Sequence, residues 1–245
     1  TNSDKIRFSW LGGSSHLHDL ELMSNGISST YNLFKDKVQF VLCGFDTRGS
    51  VTVIDQSGKQ QQRPIQPTET VWYKYEGFFT DNFKVLSPEY KNYLGTFTQG
   101  DYNDIDEPYR RRWTKDINSY ATNYNTFDVS LAPLVDSVFN ANKSQLKVIE
   151  AGFHKKALIA QNYGPYQIDL ISAIDRGGAI NPNGNCLLVD PSKNHKQWSK
   201  FAKKLVDNPE MIKDLGEKLY ETVKDKYDLN NVTKNRYEIY KNLMK

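Results

Sequence analysis

Between Asp128 and Tyr166 the chain reads DVSLAPLVDSVFNANKSQLKVIEAGFHKKALIAQNYGPY, an order of apolar run, polar loop, amphipathic helix, apolar run and glycine turn. That order predicts one βαβ unit. Val129 to Ala132 and Ala157 to Ala160 are short apolar runs of the kind that parallel strands show when both faces are covered, and such strands need a helical crossover between them. On the crossover helix Leu146, Ile149 and Phe153 fall at i, i+3 and i+7, which predicts the packing stripe. Lys143, Lys147 and Glu150 fall on another face, where they either bind a ligand or form a solvated pair. The preceding loop carries Asp136, Asn140, Asn142, Lys143 and Ser144. It lies beyond the carboxyl end of a strand and at a helix N-terminus, where open α/β sheets take ligands.

The run NKSQLKVIEAGFHKKALIA, with APLVDSVFN before it and GPY after it, resembles the nucleotide-sugar-binding segment of retaining GT-B glycosyltransferases, especially glycosyltransferase family 4. The resemblance implies a Glu-x7-Glu motif on this helix, its first glutamate facing the donor sugar and its second bonding the ribose hydroxyls. Glu150 matches the second position, and Asn142 stands where the first glutamate is expected. Near the N-terminus IRFSWLGGSSHLHDLELM, from Ile6 to Met23, resembles the first strand, glycine loop and helix of the C-terminal domain of the same enzymes. Leu11 and His16 occupy the places of the Arg and Lys that hold the diphosphate there. Gly12, Gly13, Ser14 and Ser15 offer amides and hydroxyls instead, with His16 or His18 adding a donor.

By this resemblance the catalytic candidates are Asn142, Lys147 and Glu150, and the nucleotide-sugar contacts are Gly12, Gly13, Ser14, His16, Asn140, Lys143, Ser144, Lys147 and Glu150. The diphosphate is expected at the N-terminus of the Lys143 helix, helped by the Gly12 to Ser15 loop. A nucleoside-diphosphate sugar is the implied donor substrate, no cofactor or metal is implied, and the acceptor stays open. Residues 1–245 are expected to form one donor-binding domain, with an acceptor-binding domain upstream of Thr1. Surface polysaccharide or glycoconjugate synthesis is the process such a domain implies.

The rest of the chain predicts an α/β, Rossmann-like parallel sheet flanked by helices. Ile6 to Leu11 reads as a strand, Leu17 to Phe34 as a helix and Val38 to Cys43 as a second strand. An insertion of about 46–125 follows. It opens with a hairpin from Asp46 to Gln66 and continues with helices over Thr70 to Asn82 and Ser87 to Tyr93, the second capped by Ser87 with Pro88 at its first position. Leu94 to Thr98 reads as a strand, Gly100 to Glu107 as an exposed loop, and Tyr109 to Tyr124 as a helix carrying Arg110, Arg111 and Arg112 on a solvated face with one Arg tied to an acid. Leu187 to Val189 reads as another buried strand, entered from a loop with Asn181, Asn183, Gly184 and Asn185. The last third is helical, interrupted at Asn208-Pro209 and closed by an amphipathic helix from Leu229 to Met244.

Lys plus Arg exceed Asp plus Glu by only 3, which argues against a dedicated nucleic-acid surface. No apolar run approaches the ~20 residues of a membrane helix, and TNSDKIRF is not a signal peptide, so the expected place is the cytoplasm, free or peripheral at the inner membrane face. Cys43 and Cys186 sit in apolar runs as buried small residues, and His16-x-His18 lacks the further ligands a metal needs. Two other classes compete: a non-catalytic Rossmann-like module that binds a nucleotide or a protein, and a dinucleotide enzyme. The second is disfavoured because no G-x-G-x-x-G follows the first strand.

Overall fold

Ile6–Leu11 forms strand β1, as its apolar run predicts, in a computed structural model that describes residues 4–46, 48–96 and 107–244. The chain makes two units, Thr1–Phe127 and Asp128–Lys245. In the first, β1 leads into helices α1 (Leu17–Glu21) and α2 (Ser24–Phe34) and then strand β2 (Val38–Phe45). The single helix expected over Leu17 to Phe34 is therefore two. The chain tightens at Leu22 and Met23, whose amides bond to the carbonyls of Asp19 and Leu20, and this turn still leaves Leu20, Met23 and Ile27 buried.

β2 runs past the expected end at Cys43 through an irregular step at Gly44, so that Phe45 pairs with Trp113. Gly44 has φ +107°, and a Cβ there would lie 2.2 Å from the Gly12 carbonyl oxygen, so only glycine lets the two strand ends approach. Strands β3 (Ser50–Ile54) and β4 (Gln60–Pro64) make the expected antiparallel hairpin, followed by α3 (Val71–Phe79) and α4 (Pro88–Leu94). Ser87 caps α4 as predicted, accepting from the Tyr90 amide at 3.1 Å. Leu94 closes α4 and is not the start of a strand. Positions 97–98 of that expected strand and 100–106 of the expected loop lie outside the described residues. Glu107 is buried, its carboxylate accepting from the Ser87 amide.

The main correction falls on Tyr109 to Tyr124. Tyr109–Trp113 is strand β5, parallel to β2, and Tyr120–Thr126 is a 3-10 segment. Arg110 and Arg111 are buried, not solvated. Alternation along β5 sends Tyr109 and Arg111 to one face, where both meet Glu76 of α3. Trp72, Tyr75, Glu76 and Phe79 form the buried stripe of α3, so Glu76 is an acid in an otherwise aromatic row. Rings of Phe8, Trp10, Phe40, Phe45, Trp72, Tyr75, Phe79, Tyr90 and Tyr109 fill this layer, most pairs tilted or edge-on at 5–6 Å. Each such buried ring contributes roughly 1.5–3 kcal/mol of transfer free energy.

In the second unit β6 (Val129–Ala132), β7 (Ala157–Gln161) and β8 (Leu187–Val189) pair in parallel, with β7 central. The crossover is again two helices where one was expected: α5 (Val138–Ala141) and α6 (Leu146–Phe153). Three long helices follow: α7 (Lys196–Asp207), α8 (Glu210–Val223) and α9 (Leu229–Leu243). Trp198, Phe201, Ala202, Leu205, Leu215, Leu219 and Val223 are buried as their helical spacing predicts, whereas α9 has no buried residue among those described.

The packing face of α6 differs from expectation. Leu146 and Phe153 are exposed, and the buried residues are Val148, Ala151 and Gly152. Small residues win because α8 lies close: a Cβ on Gly152 would sit 2.5 Å from Val223 Cγ2 and 3.2 Å from the Leu219 carbonyl. Cys43 and Cys186 are free and buried, as read from their runs. Parallel strands flanked by helices, a hairpin in the first half and a helical last third make the α/β, Rossmann-like class expected. No helix among the described residues is long and apolar enough to cross a membrane.

Candidate functional site

Because β6 and β7 are parallel, their carboxyl ends share one edge, and the loops after them pack together. Tyr163, after β7, donates its hydroxyl to the Ser137 carbonyl at 3.1 Å, and Ser137 caps α5 by accepting from the Asn140 amide. Hydrogen bonding to Asp136 raises the Tyr163 hydroxyl above its ordinary value, so it stays a donor. Asn140 is buried, and its Nδ2 donates to the Val135 carbonyl at 2.9 Å, which shapes the β6–α5 loop from inside. Asn142 closes α5, its Nδ2 donating to the Val138 carbonyl at 2.8 Å.

Lys143 lies in the link before α6, not on the helix where its spacing had placed it, and Ser144 lies in the same link, as the expected loop has it. The Lys143 ammonium rests 4.9 Å from the centroid of the exposed Phe139 ring. Lys147 is in the first turn of α6 and Glu150 in its middle, both half-buried. Lys147 therefore stands close to the positive end of α6, which favours an anion. Glu150 acts on His154 one turn on: burial lowers the His154 pKa, Lys156 lowers it further, and Glu150 opposes both.

The N-cap position of α6 is fixed by a network that sequence reading missed. Gln145 donates to the Tyr227 hydroxyl at 2.6 Å, Tyr227 donates to Asp169 Oδ2 at 2.5 Å, and Lys226 Nζ meets Asp169 Oδ1 at 2.5 Å. Asp169 is buried, so its charge needs these donors. Nothing local to Asp169 announces partners 57 and 58 residues further on.

In the first unit the glycine loop follows β1. Gly12 cannot serve as an anion donor, because its amide already bonds to the Cys43 carbonyl at 3.2 Å. Gly13, Ser14 and Ser15 are exposed, with no hydrogen bond to their amides among the described residues. Tyr75 clips the loop, accepting from the His16 amide at 2.9 Å and donating to the Ser14 carbonyl at 2.8 Å. His16 Nδ1 lies 2.7 Å from buried Asp19, and His18 pairs at 3.0 Å with Glu21. A cleft of about 360 Å³ is lined by Gly12, Gly13 and Ser14 together with Arg48, a cation the sequence reading did not connect to this loop. Arg48 is held by Asp46, with Nη2 2.7 Å from Oδ2.

The structure thus groups Asn140, Asn142, Lys143, Ser144, Lys147 and Glu150 along one short stretch of the second unit, and Gly12, Gly13, Ser14 and His16 along one loop of the first. Among the described residues no cluster of His, Cys, Asp and Glu can hold a metal.

No protein-family model matches the chain, and no curated protein matches it in sequence. Solved structures similar to it include the Anabaena protein HepE in complex with UDP and glucose, at 8% identity and TM-score 0.60 over 97% of this chain and 48% of that one. A sucrose-phosphate synthase from Thermosynechococcus elongatus matches at 14% identity and TM-score 0.60, over 100% of this chain and 47% of that one. The C-terminal domain of a glycosyl transferase group 1 family protein, LpcC from Francisella tularensis, matches at 15% identity and TM-score 0.53, over 93% and 88%. The chain spans about half the length of the first two. What it shares with these glycosyltransferases is the fold.

Proposed function

We propose that this chain is the donor-binding part of a GT-B glycosyltransferase of the family 4 type, which takes a nucleoside-diphosphate sugar and transfers the sugar with retention. The observation that carries the reading is the fold match to an isolated glycosyltransferase C-terminal domain over most of both chains. UDP and glucose in HepE, of the same fold, support a sugar nucleotide as donor.

In this reading Glu150 accepts both ribose hydroxyls, for which a carboxylate with two acceptor oxygens is suited. Lys147 and the amides at the start of α6 take the diphosphate, with Lys143 beside them. Charge grows on the leaving phosphate in the transition state, and a fixed lysine and helix-end amides stabilise it there. The exposed amides of Gly13, Ser14 and Ser15 are a second anion-binding candidate. Asn140 shapes the loop rather than touching ligand.

The test is calorimetric titration with UDP, GDP, ADP and CMP. One of the four should bind, and Glu150→Ala should weaken it by about 1–3 kcal/mol while the melting temperature holds. Silence from all four, or a large loss of stability with unchanged binding in Glu150→Ala, overturns the reading.

Asn142 favours a second reading, a non-catalytic module that binds a nucleotide or a protein partner. It supplies an amide, already bonded to Val138, at the position where the resemblance implies a sugar-facing carboxylate. Sugar-nucleotide turnover that disappears with Lys147→Ala separates the two.

A further inference from the structure

A cavity of about 910 Å³ in the second unit is lined by none of the residues assigned above. One wall is the turn around Ile174 to Asn181, the other the segment from Asp190 into the first turns of α7, and Ile174, Leu188 and Phe201 form an apolar floor. Its volume is that of pockets that enclose small molecules.

Four cations line it, Arg176, Lys193, Lys196 and Lys200, against two carboxylates, Asp175 and Asp190. Both acids are engaged in closing their own turns. Asp175 accepts from the Ala179 amide at 2.8 Å, and Asp190 accepts from the Ser192 amide at 3.0 Å and hydroxyl at 2.7 Å. Arg176 and Lys193 feel Asp190 only through space, and among the described residues none of the four cationic heads has an ion pair or hydrogen bond. Asn162 and Gln197 add amide donors: each uses its side-chain oxygen, for Gln167 and for the Asp190 amide, and leaves its NH2 group without an acceptor among the described residues.

Donors are thus in surplus, and the acceptors left are the Oδ2 atoms of Asp175 and Asp190, which no hydrogen bond engages among the described residues, and one amide oxygen. Asn194 Oδ1 is buried with no donor, while its Nδ2 bonds to the Pro191 carbonyl. The next residue, His195, has φ +59° and ψ −67°, and Lys196 N bonds back to the Asn194 carbonyl at 2.7 Å. That is a γ-turn of the rare positive-φ kind, held in the cavity wall by a residue other than glycine.

We infer that this cavity binds a phosphorylated sugar. The unpaired cations and amide NH2 groups suit phosphate oxygens, the free Oδ2 atoms of Asp175 and Asp190 suit sugar hydroxyls, and the apolar floor suits the C–H face of a pyranose ring. The inference is independent of the nucleotide reading, since Glu150 and Lys147 lie outside the lining.

The test is an NMR titration of the whole chain with glucose 6-phosphate, glucose, inorganic phosphate and UDP. Glucose 6-phosphate should saturate with shifts at 172–200, and glucose and inorganic phosphate should each bind at least about tenfold more weakly. Lys196→Ala/Lys200→Ala, both exposed, should weaken it about tenfold at unchanged melting temperature, and Glu150→Ala should leave it unchanged. Arg176→Ala gives the same readout from the opposite wall. No saturation, inorganic phosphate binding as well as the sugar phosphate, indifference to all three cation changes, or UDP displacing glucose 6-phosphate from these residues overturns the inference.

Discussion

Glu76 and Arg111 are buried against each other in the first unit, with Arg111 Nε 2.7 Å from Glu76 Oε1 and Nη2 3.1 Å from Oε2. Tyr109 donates to the same carboxylate at 2.6 Å, and the Arg111 guanidinium lies 3.7 Å from the Phe45 ring centroid. Burial raises the Glu76 pKa, and the Arg111 charge and the two donors oppose it. Such a pair is costly to desolvate and costly to break.

Removing one partner should therefore destabilise strongly. Arg111→Ala is expected to lose about 3–5 kcal/mol in urea unfolding, since Glu76 is left as a buried charge. Glu76→Gln/Arg111→Met should recover much of that loss. Equal losses in the single and double variants would mean that packing, not charge, sets the effect.

This pair also shows where the sequence was legible. β6, β7 and the hairpin were readable because apolar runs, turn residues and short-range pairing specify them locally. β5 was not, because three successive arginines look solvated until Glu76, 35 residues earlier, is brought to them. One signal was available: Glu76 sits in the aromatic stripe of α3, and an acid there calls for a buried cation. At the candidate site, spacing placed Lys147 and Glu150 on the crossover helix, where α6 holds them, while their expected roles came from the resemblance alone. The burial of Asn140 and the engagement of the Gly12 amide were not readable, since each depends on a carbonyl that the fold supplies.

Gly152→Ala tests the close approach of α6 and α8. Alanine is the better helix former by roughly 1 kcal/mol, yet its methyl would overlap Val223. Overpacking wins, and a net loss of about 1–3 kcal/mol is expected by thermal melting. Recovery in Gly152→Ala/Val223→Ala would assign the loss to that contact; an increase in stability of the single variant would refute the packing.

The hairpin is tied to the chain after it by Arg63, which holds Glu69 at 2.8 and 2.5 Å, and by the Gln66 amide on the same carboxylate. These donors lower the Glu69 pKa to about 2. A depressed carboxylate adds stability that is present above its unfolded value, near 4.5, and is lost as pH falls through about 2. Carbon-detected NMR should find the Glu69 midpoint near the lower value, and Arg63→Gln should move it up. A midpoint that ignores Arg63→Gln would remove Arg63 as the cause.

His154 offers a probe of Glu150 that needs no ligand. Its pKa is lowered from 6.5 by burial and by Lys156, while Glu150 pulls it back up. For a base with a lowered folded pKa, the unfolded chain holds more protons, so the contribution to stability is present above 6.5 and is lost as pH falls through the window below it. Glu150→Gln removes the opposing charge, so the His154 midpoint should fall further in an imidazole NMR titration. Lys156→Met should raise it. If UDP binds through Glu150, saturation with UDP should also shift that midpoint in the parent chain and not in Glu150→Gln. A His154 midpoint blind to Glu150→Gln would mean that the carboxylate is held away from the end of α6, and the assignment of Glu150 to the ribose would then lose its geometric support.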